Sequence, residues 1–245
     1  MHNIWILARK EYNHYFISPI AYVFMIVIYV TLGLLFFVDI LFASQYTQYI
    51  PSIQNLLQLL VFPLLFLGIP ALTMRSLSEE NKSGTLELLL TSPITDFQLI
   101  LGKWLGAFLF LCTIVVVTFI YPAILNSLVT PGIDLKVLAS GYLGLILFIS
   151  AATAMGVAIS SFTSNQIVSL FASVGSLIIF WIISAPAQVM QGAVGEVLKY
   201  LCIPTHFYST FLTGIIRLDD ITYFISFTII ALLIGAARVE SRRWG

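Results

Sequence analysis

The strongest constraint in this sequence is a run of 59 residues, 137–195, that contains no Asp, Glu, Lys or Arg. Five further uncharged runs cover 12–38, 40–74, 104–133, 200–216 and 221–237. A helix needs about 20 apolar residues to cross the hydrocarbon core of a bilayer, because it rises about 1.5 Å per residue. Such runs, in a chain with 60% hydrophobic and only 9% charged residues, indicate an integral membrane protein.

The composition also excludes several other classes of protein. A disordered chain has few apolar residues, and a disulfide scaffold has more cysteines than the two found here. A nucleic-acid-binding domain is expected to be basic, whereas Lys+Arg and Asp+Glu both number 11. Composition does not separate a channel, a carrier, an intramembrane enzyme and a transporter subunit, so the distribution of the charges must be used.

The uncharged runs predict six membrane-spanning helices. The longest run must hold two spans, with the polar segment 160–166 as the turn between them. The run 200–216 is short and is broken by Pro204 and Gly214, so we expect it to lie outside the bilayer core or to re-enter it. The predicted spans are 20–38, 56–74, 104–128, 137–159, 167–189 and 221–237.

The positive charges predict the orientation of these spans, because Lys and Arg are retained on the cytoplasmic side of a membrane. With six spans, both termini lie on one side. That side collects Arg9, Lys10, Arg75, Lys82, Lys103, Arg238, Arg242 and Arg243. Only Lys136, Lys199 and Arg217 lie opposite. We therefore expect both termini in the cytoplasm. A seventh span at 200–216 would move the arginines near the C-terminus to the opposite side and so remove this charge asymmetry.

Residues 2–17 mix aromatic and charged side chains, which predicts an amphipathic helix at the inner membrane interface. A simple aromatic anchor that flanks the first span also explains them. The charges follow the short apolar stretch at the start of the chain instead of preceding it, unlike those of a signal peptide. We therefore expect the first span to be retained.

The predicted cytoplasmic loop 75–103 contains a dense group of charges. Within it Gly84 is a helix breaker, Thr85 can cap a helix N-terminus and Pro93 can end a helix. These residues predict a short helix of about seven residues over 85–91. Leu86, Leu89 and Leu90 fall on one side of it at helical spacing, so the helix is amphipathic.

Two interpretations of this loop remain open from the residues alone. In the first, the leucines rest on lipid headgroups. In the second, the helix docks onto a soluble partner, with Glu79, Glu80 and Glu87 as electrostatic contacts. Thr95 and Gln98 then have the spacing of a capping box, which predicts that the third long helix begins in the cytoplasm. A rigid connection of this kind between the loop and the third helix could transmit a movement of the loop to that helix.

Prolines and small residues predict how the spans bend and pack. Pro122 in the third span, and Pro63 and Pro70 in the second, predict kinks. Small residues at a spacing of four predict close helix packing, either within the chain or across a dimer. They are Gly102 and Gly106 at the start of the third span, and Ala152, Gly156 and Ser160 in the fourth.

The loop and its flanks resemble the segment between the second and third spans of type-2 ABC transporter permeases. The residues that carry this likeness are Glu79-Glu80, Ser83-Gly84-Thr85-Leu86-Glu87, Pro93 and Gly102-Lys103. The tail is similar to the gliding-motility-type and copper-processing-type branches. Its matching residues are His206-Phe207, Gly214, Asp219-Asp220, Tyr223 and Arg242-Arg243-Trp244.

The resemblance implies an all-α polytopic permease in which residues 1–245 form one transmembrane domain. The expected fold has six transmembrane helices, an N-terminal interfacial helix, a short cytoplasmic coupling helix between spans 2 and 3, and short re-entrant helices in the outer segment 185–220. In such permeases the coupling helix contacts a separate ATP-binding subunit, which binds ATP and Mg, and two permease units face each other around the substrate path. The resemblance also implies export and a location in a prokaryotic inner membrane.

The resemblance also assigns candidate site residues. The partner-coupling residues that it implies are Glu79, Glu80, Ser83, Gly84, Thr85, Leu86, Glu87 and Pro93. By analogy with the helices that cap the path in such permeases, an outer gate would consist of Phe207, Tyr208 and Phe211.

We expect no catalytic, cofactor or metal site in this chain. The only Gly-Lys pair, Gly102-Lys103, lacks the other residues of a phosphate-binding loop, and His-Glu-x-x-His, Cys-x-x-Cys and Gly-x-Ser-x-Gly are absent. ATP hydrolysis is therefore expected in another polypeptide. A metal site of His206, Cys202 and Met190 is an alternative that the copper-processing relatives suggest, although such residues more often pack locally.

Two further functions remain as alternatives to a permease. A membrane anchor or scaffold would hold a soluble complex through the same loop without transport. A secondary carrier normally has ionisable groups in mid-membrane, whereas the predicted spans contain none. Asp39 is expected at the outer end of the first span, and Lys103 at the inner end of the third. The sequence does not identify a substrate.

Overall fold

The computed structural model describes residues 2–46, 51–64, 68–85, 94–183, 185–186, 190 and 192–243. These residues form helices and connecting turns, and no strand occurs within these ranges. The helices are α1 His2–Ile17, α2 Pro19–Gln45, α3 Ile53–Pro63, α4 Ile69–Thr73, α5 Ser78–Ser83, α6 Asp96–Val117, α7 Ile120–Leu128, α8 Leu135–Phe162, α9 Gln166–Ile182, α10 Ala193–Leu201, α11 Ile203–Tyr208 and α12 Leu218–Arg243. A 3₁₀ turn, Phe211–Thr213, lies between α11 and α12.

Four segments of the described chain are helices long and apolar enough to cross a membrane. They are Ala21–Gln45, Asp96–Leu128, Leu135–Phe162 and Leu218–Arg242. The predicted span 56–74 corresponds to α3 and α4, between which residues 65–67 lie outside the described part. The predicted span 167–189 corresponds to α9, an apolar helix of 17 residues that ends at Ile182. The count of six spans therefore stays a prediction.

The long helices continue past the ends that the uncharged runs predict. α2 extends to Gln45, so Asp39 lies inside the helix and is buried, not at its end. α6 begins at Asp96, well before the predicted start of the third span at residue 104. Charges mark where a segment stops being apolar, whereas a helix continues until its backbone is capped.

The start of α6 is the capping box that the sequence predicts. The Gln98 amide N–H donates to Thr95 Oγ1 at 3.3 Å, and the Thr95 N–H donates to Gln98 Oε1 at 3.4 Å. Two of the amide groups that a helix N-terminus leaves unpaired are thus satisfied. This cap fixes the point at which the third long helix begins.

A break at residues 118–119 separates α6 from α7, one turn before Pro122, where the sequence predicts a kink. A proline ring clashes with the carbonyl four residues earlier, here that of Thr118. The Thr118 amide donates to Val115 O at 3.0 Å, in a tighter turn. The Ile114 carbonyl, which an uninterrupted helix would pair with Thr118, accepts from the Tyr29 hydroxyl at 3.3 Å.

α8 is the central helix, against which α3, α4, α6, α9, α12 and the 3₁₀ turn pack. Glycines allow the closest approaches, since an added methyl group on Gly141 would overlap Leu57, and one on Gly156 would overlap Thr73. α3 and α4 therefore follow α8 over about 22 Å, at 1.5 Å per residue. Gly156, predicted for close packing, makes its contacts within the chain.

The segments 75–85 and 160–166 and both described ends of the chain meet at one end of the helices. Lys103 joins α1 and α5 to α6. Asn81 Nδ2 donates to Thr163 O at 3.0 Å, and Arg242 donates to Asn81 Oδ1 at 2.5 Å. We call this the cation-rich end, comprising residues 2–17, 75–85, 94–103, 160–166 and 238–242.

The opposite end is formed by α10, α11, the 3₁₀ turn and the start of α12. The Ser140 hydroxyl of α8 donates to Phe211 O at 2.7 Å, which fastens the 3₁₀ turn to the core. The run 200–216 is divided among these short elements and is not one long helix. None of these described helices is long enough to be a candidate span, and the prediction that 200–216 does not cross the bilayer stays a prediction.

Candidate coupling site at the cation-rich end

The centre of the candidate site is Lys103, whose Nζ lies 3.0 Å from Glu11 Oε1 and 2.7 Å from Glu80 Oε1. The Lys103 side chain is 2% exposed, and those of Glu11 and Glu80 are 15% and 23% exposed. A buried ammonium group is costly unless anions pair with it. This three-way ion pair therefore ties α1, α5 and α6 to one another.

Glycines on α6 let α1 approach Lys103 closely. An added Cβ on Gly102 would lie 2.7 Å from Leu7 Cδ2, and one on Gly106 would lie 2.6 Å from Glu11 Cβ. The predicted amphipathic helix is thus docked on α6 with Leu7 and Ala8 buried. Small residues permit such contact where helices pack in a bilayer.

The segment that leads into α5 is held on the end of α8. The amides of Leu77 and Ser78 both donate to Ser160 Oγ, at 2.8 and 3.1 Å. Asn81 adds the bond to the Thr163 carbonyl. Ser160 and Thr163 border the turn between α8 and α9, so α5 contacts the core at a second point besides Lys103.

α5 ends at the glycine that the sequence predicts as a breaker. Gly84 has φ +71°, the left-handed conformation that glycine adopts without strain at a helix C-terminus. Ser83 Oγ donates to Glu79 O at 2.9 Å, and Ser83, Gly84 and Thr85 are exposed. The predicted helix 85–91 lies outside the described residues except for its first residue.

The three remaining coupling residues, Leu86, Glu87 and Pro93, also lie outside the described part of the chain. α5 itself was not among the predicted elements. A signal for it exists in the sequence: Glu79 and Glu80 fall in its first turn and Lys82 in its last, which suits the helix dipole.

Glu79 and Glu80 differ in their surroundings although both were predicted to face a partner. Glu79 is exposed, whereas Glu80 Oε1 is bound to Lys103 within the chain. Burial raises the pKa of Glu80, and the nearby Lys103 ammonium offsets part of that effect. Of these two glutamates, Glu79 is therefore the one placed to contact a partner. Glu80 belongs to the three-way ion pair with Lys103 and Glu11, which joins the loop to α6.

The predicted gate residues lie in one packed aromatic region and not on an open surface, and the rings of Phe207 and Tyr208 meet edge to face at 5.4 Å. Phe207 and Phe211 are buried, and an added Cβ on Gly144 would lie 2.5 Å from the Phe211 ring. Tyr208 is partly exposed, and its ring is perpendicular to that of Trp181 at 5.6 Å. In this conformation Phe207 and Phe211 fill the core, and the gate stays a prediction.

His206 is engaged through both ring nitrogens. Nδ1 lies 2.6 Å from Asp220 Oδ1, Nε2 lies 2.8 Å from Tyr200 O, and the ring stacks on Tyr223 at 4.0 Å. Among the described residues no group of three or more His, Cys, Asp or Glu side chains is placed to hold a metal ion. A metal ion at His206 would have to displace one of its two hydrogen bonds.

The apolar helices define the class of this molecule, an all-α polytopic membrane protein. The family model described as "ABC-2 family transporter protein" matches residues 5–239. The chain belongs to this family, and it is a membrane permease of the ABC-2 type. A comparison with curated proteins finds no match. The branch suggested by the tail residues stays a prediction.

Proposed function

We propose that this permease is the membrane subunit of an exporter and that a separate ATP-binding subunit drives it through segment 79–93. The observation that carries the proposal is the three-way ion pair of Lys103, Glu11 and Glu80. It links the loop that precedes the third long helix to that helix itself. A force applied to α5 therefore reaches α6 through a buried contact.

The geometry of α6 is suited to transmitting a movement from one of its ends to the other. α6 is continuous from Asp96 to Val117, a length of about 30 Å at 1.5 Å per residue. Lys103 lies near its first end, and the break at residues 118–119 lies at its other end. A push at the cation-rich end would tilt α6 about that break. α1 would move with it, because Glu11 is bound to the same ammonium group.

The orientation and assembly form part of the same proposal. The cation-rich end would be cytoplasmic, since Lys and Arg are retained on that side. The partner subunit would bind ATP and Mg there. A second copy of the chain, or a related permease, would complete the substrate path in a prokaryotic cell membrane.

The test is to purify the tagged chain from native membranes in mild detergent and to identify co-purifying proteins by mass spectrometry. Glu87→Arg reverses a charge in the predicted coupling helix. Arg217→Gln is the control at the opposite end, where Arg217 pairs with exposed Asp219. We expect a stoichiometric subunit with a Walker motif to accompany the wild type and the control, and to be lost from Glu87→Arg. An intact, monodisperse chain without such a subunit would contradict the proposal.

A further inference from the structure

A cleft of about 510 Å³ opens between the last turns of α1 and the segment 75–80. Its walls carry both signs of charge. Lys10 and His14 line it from α1, and Arg75, Ser76, Glu79 and Glu80 line it from the other side. The coupling proposed above uses Glu79, Glu80 and Lys103 on its wall but assigns no occupant to the space between the walls.

Three polar atoms on the wall of this cleft are buried and have no hydrogen-bond partner within the described part of the chain. They are Arg75 Nε, Ser76 Oγ and Glu80 Oε2. Ser76 as a whole is 6% exposed. Because buried polar groups are almost always paired, these atoms indicate an occupant with both hydrogen-bond acceptors and donors.

The cleft lies at the start of two membrane-spanning segments. Ile17 and Ser18 form part of its wall, and the first candidate span begins at Ala21. Lys103, which also lines the cleft, belongs to the candidate span that begins at Asp96. Phospholipid headgroups occupy the layers that flank the hydrocarbon core, so the cleft is placed at headgroup depth.

We propose that this cleft binds the headgroup of an aminophospholipid. Lys103 engages Glu11 and Glu80 Oε1, which leaves Lys10, Arg75 and the Ser76 hydroxyl for a phosphate group. Glu79 and Glu80 Oε2 then remain for a primary ammonium group. A choline headgroup carries the same phosphate but its quaternary ammonium cannot donate a hydrogen bond, and a glycerol headgroup has no cation.

This proposal goes beyond coupling, because it places a lipid against the side chain of Glu80 on which the joint depends. It predicts that the lipid composition of the membrane influences the permease. Its test needs only the isolated permease. A failure here leaves the coupling proposal standing, and the absence of an ATP-binding subunit would leave the lipid site standing.

The experiment is native mass spectrometry of the purified, delipidated permease, titrated with phosphatidylethanolamine, phosphatidylcholine and phosphatidylglycerol that have the same acyl chains. We expect phosphatidylethanolamine to bind about tenfold more tightly than the other two, as the loss of one charged hydrogen bond predicts. Arg75→Gln should weaken phosphatidylethanolamine binding about tenfold. Glu79→Gln should remove the preference over phosphatidylcholine.

Lys82→Gln is the matched control, since Lys82 lies on the same loop, is exposed and does not line the cleft. It should bind all three lipids as the wild type does. Ser76→Ala is the second variant if Arg75→Gln does not fold, and it should weaken phosphatidylethanolamine binding a few-fold, since it removes one hydrogen bond. Equal binding of the three lipids, or wild-type binding by the folded cleft variants, would overturn the proposal and indicate a water-filled cleft.

Discussion

The ammonium group of Lys103 lies 2.7 Å from the Glu80 carboxylate, and this contact joins the third long helix to the loop that precedes it. Glu11 completes the arrangement from α1 at 3.0 Å. Two carboxylates thus share one almost fully buried cation. Removing the cation would leave both carboxylates in a poorly hydrated place, whereas removing one carboxylate leaves the cation paired.

The first prediction concerns the cation itself. Lys103→Met should destabilise the fold by about 3 kcal/mol, because it leaves two largely buried carboxylates without a counterion. Adding Glu11→Gln and Glu80→Gln should recover most of that loss, since neutral amides tolerate burial better. Thermal unfolding of the three proteins in the same detergent measures this. An equal loss in the triple variant would show that Lys103 acts through packing alone.

The second prediction separates partner binding from force transmission by using two neighbouring glutamates. Glu79→Gln should weaken binding of the ATP-binding subunit, because Glu79 is exposed. Glu80→Gln should retain the subunit but lower transport per ATP hydrolysed, by up to about tenfold, because it replaces a charged hydrogen bond to Lys103. Co-purification and transport with ATP hydrolysis in proteoliposomes measure the two effects. Equal effects of the two variants on subunit binding and on transport per ATP hydrolysed would contradict this separation of roles.

The capping box at Thr95, the helix breaker at Gly84 and a distortion near Pro122 could be predicted from the sequence, although α5 itself was not predicted. Each depends on residues within about one helical turn of one another. The Lys103–Glu11 contact joins residues 92 positions apart. No local pattern specifies such a pair, because it forms only once α1 has docked on α6.

The predicted gate illustrates the same limit. Aromatic residues in an outer segment are compatible with a gate or with a core, and the choice depends on what packs against them. Phe211 lies against the surface that Gly144 leaves open on α8. The sequence places both residues correctly on their elements but does not indicate that they meet.

The third prediction follows from the raised pKa of Glu80, which burial causes. For an acid whose pKa is higher in the folded state than in the unfolded state, the protonated form favours folding. This contribution is present below the unfolded-state pKa and is lost as the pH rises through the folded-state pKa. The melting temperature should therefore fall over that pH range.

Glu80→Gln mimics the neutral acid at every pH, so it should remove this part of the decline. Glu79→Gln is the matched control, because it makes the same change at the neighbouring, exposed position. Melting temperatures from pH 4 upward in one detergent give the comparison. If all three proteins share one pH profile, burial does not control the titration of Glu80.

The last prediction tests the break in the third long helix. Tyr29→Phe removes the hydroxyl that donates to the Ile114 carbonyl, so that carbonyl loses a partner in an apolar setting. Side-chain hydrogen bonds between membrane helices contribute about 0.6 kcal/mol on average. Tyr22→Phe is the matched control on the same helix, where the tyrosine is exposed.

We expect Tyr29→Phe alone to lower the melting temperature and to alter transport, because the Tyr29 hydroxyl holds α2 to the point about which α6 would tilt. Identical melting temperatures and transport rates for the two variants would show that this hydrogen bond does not stabilise the break.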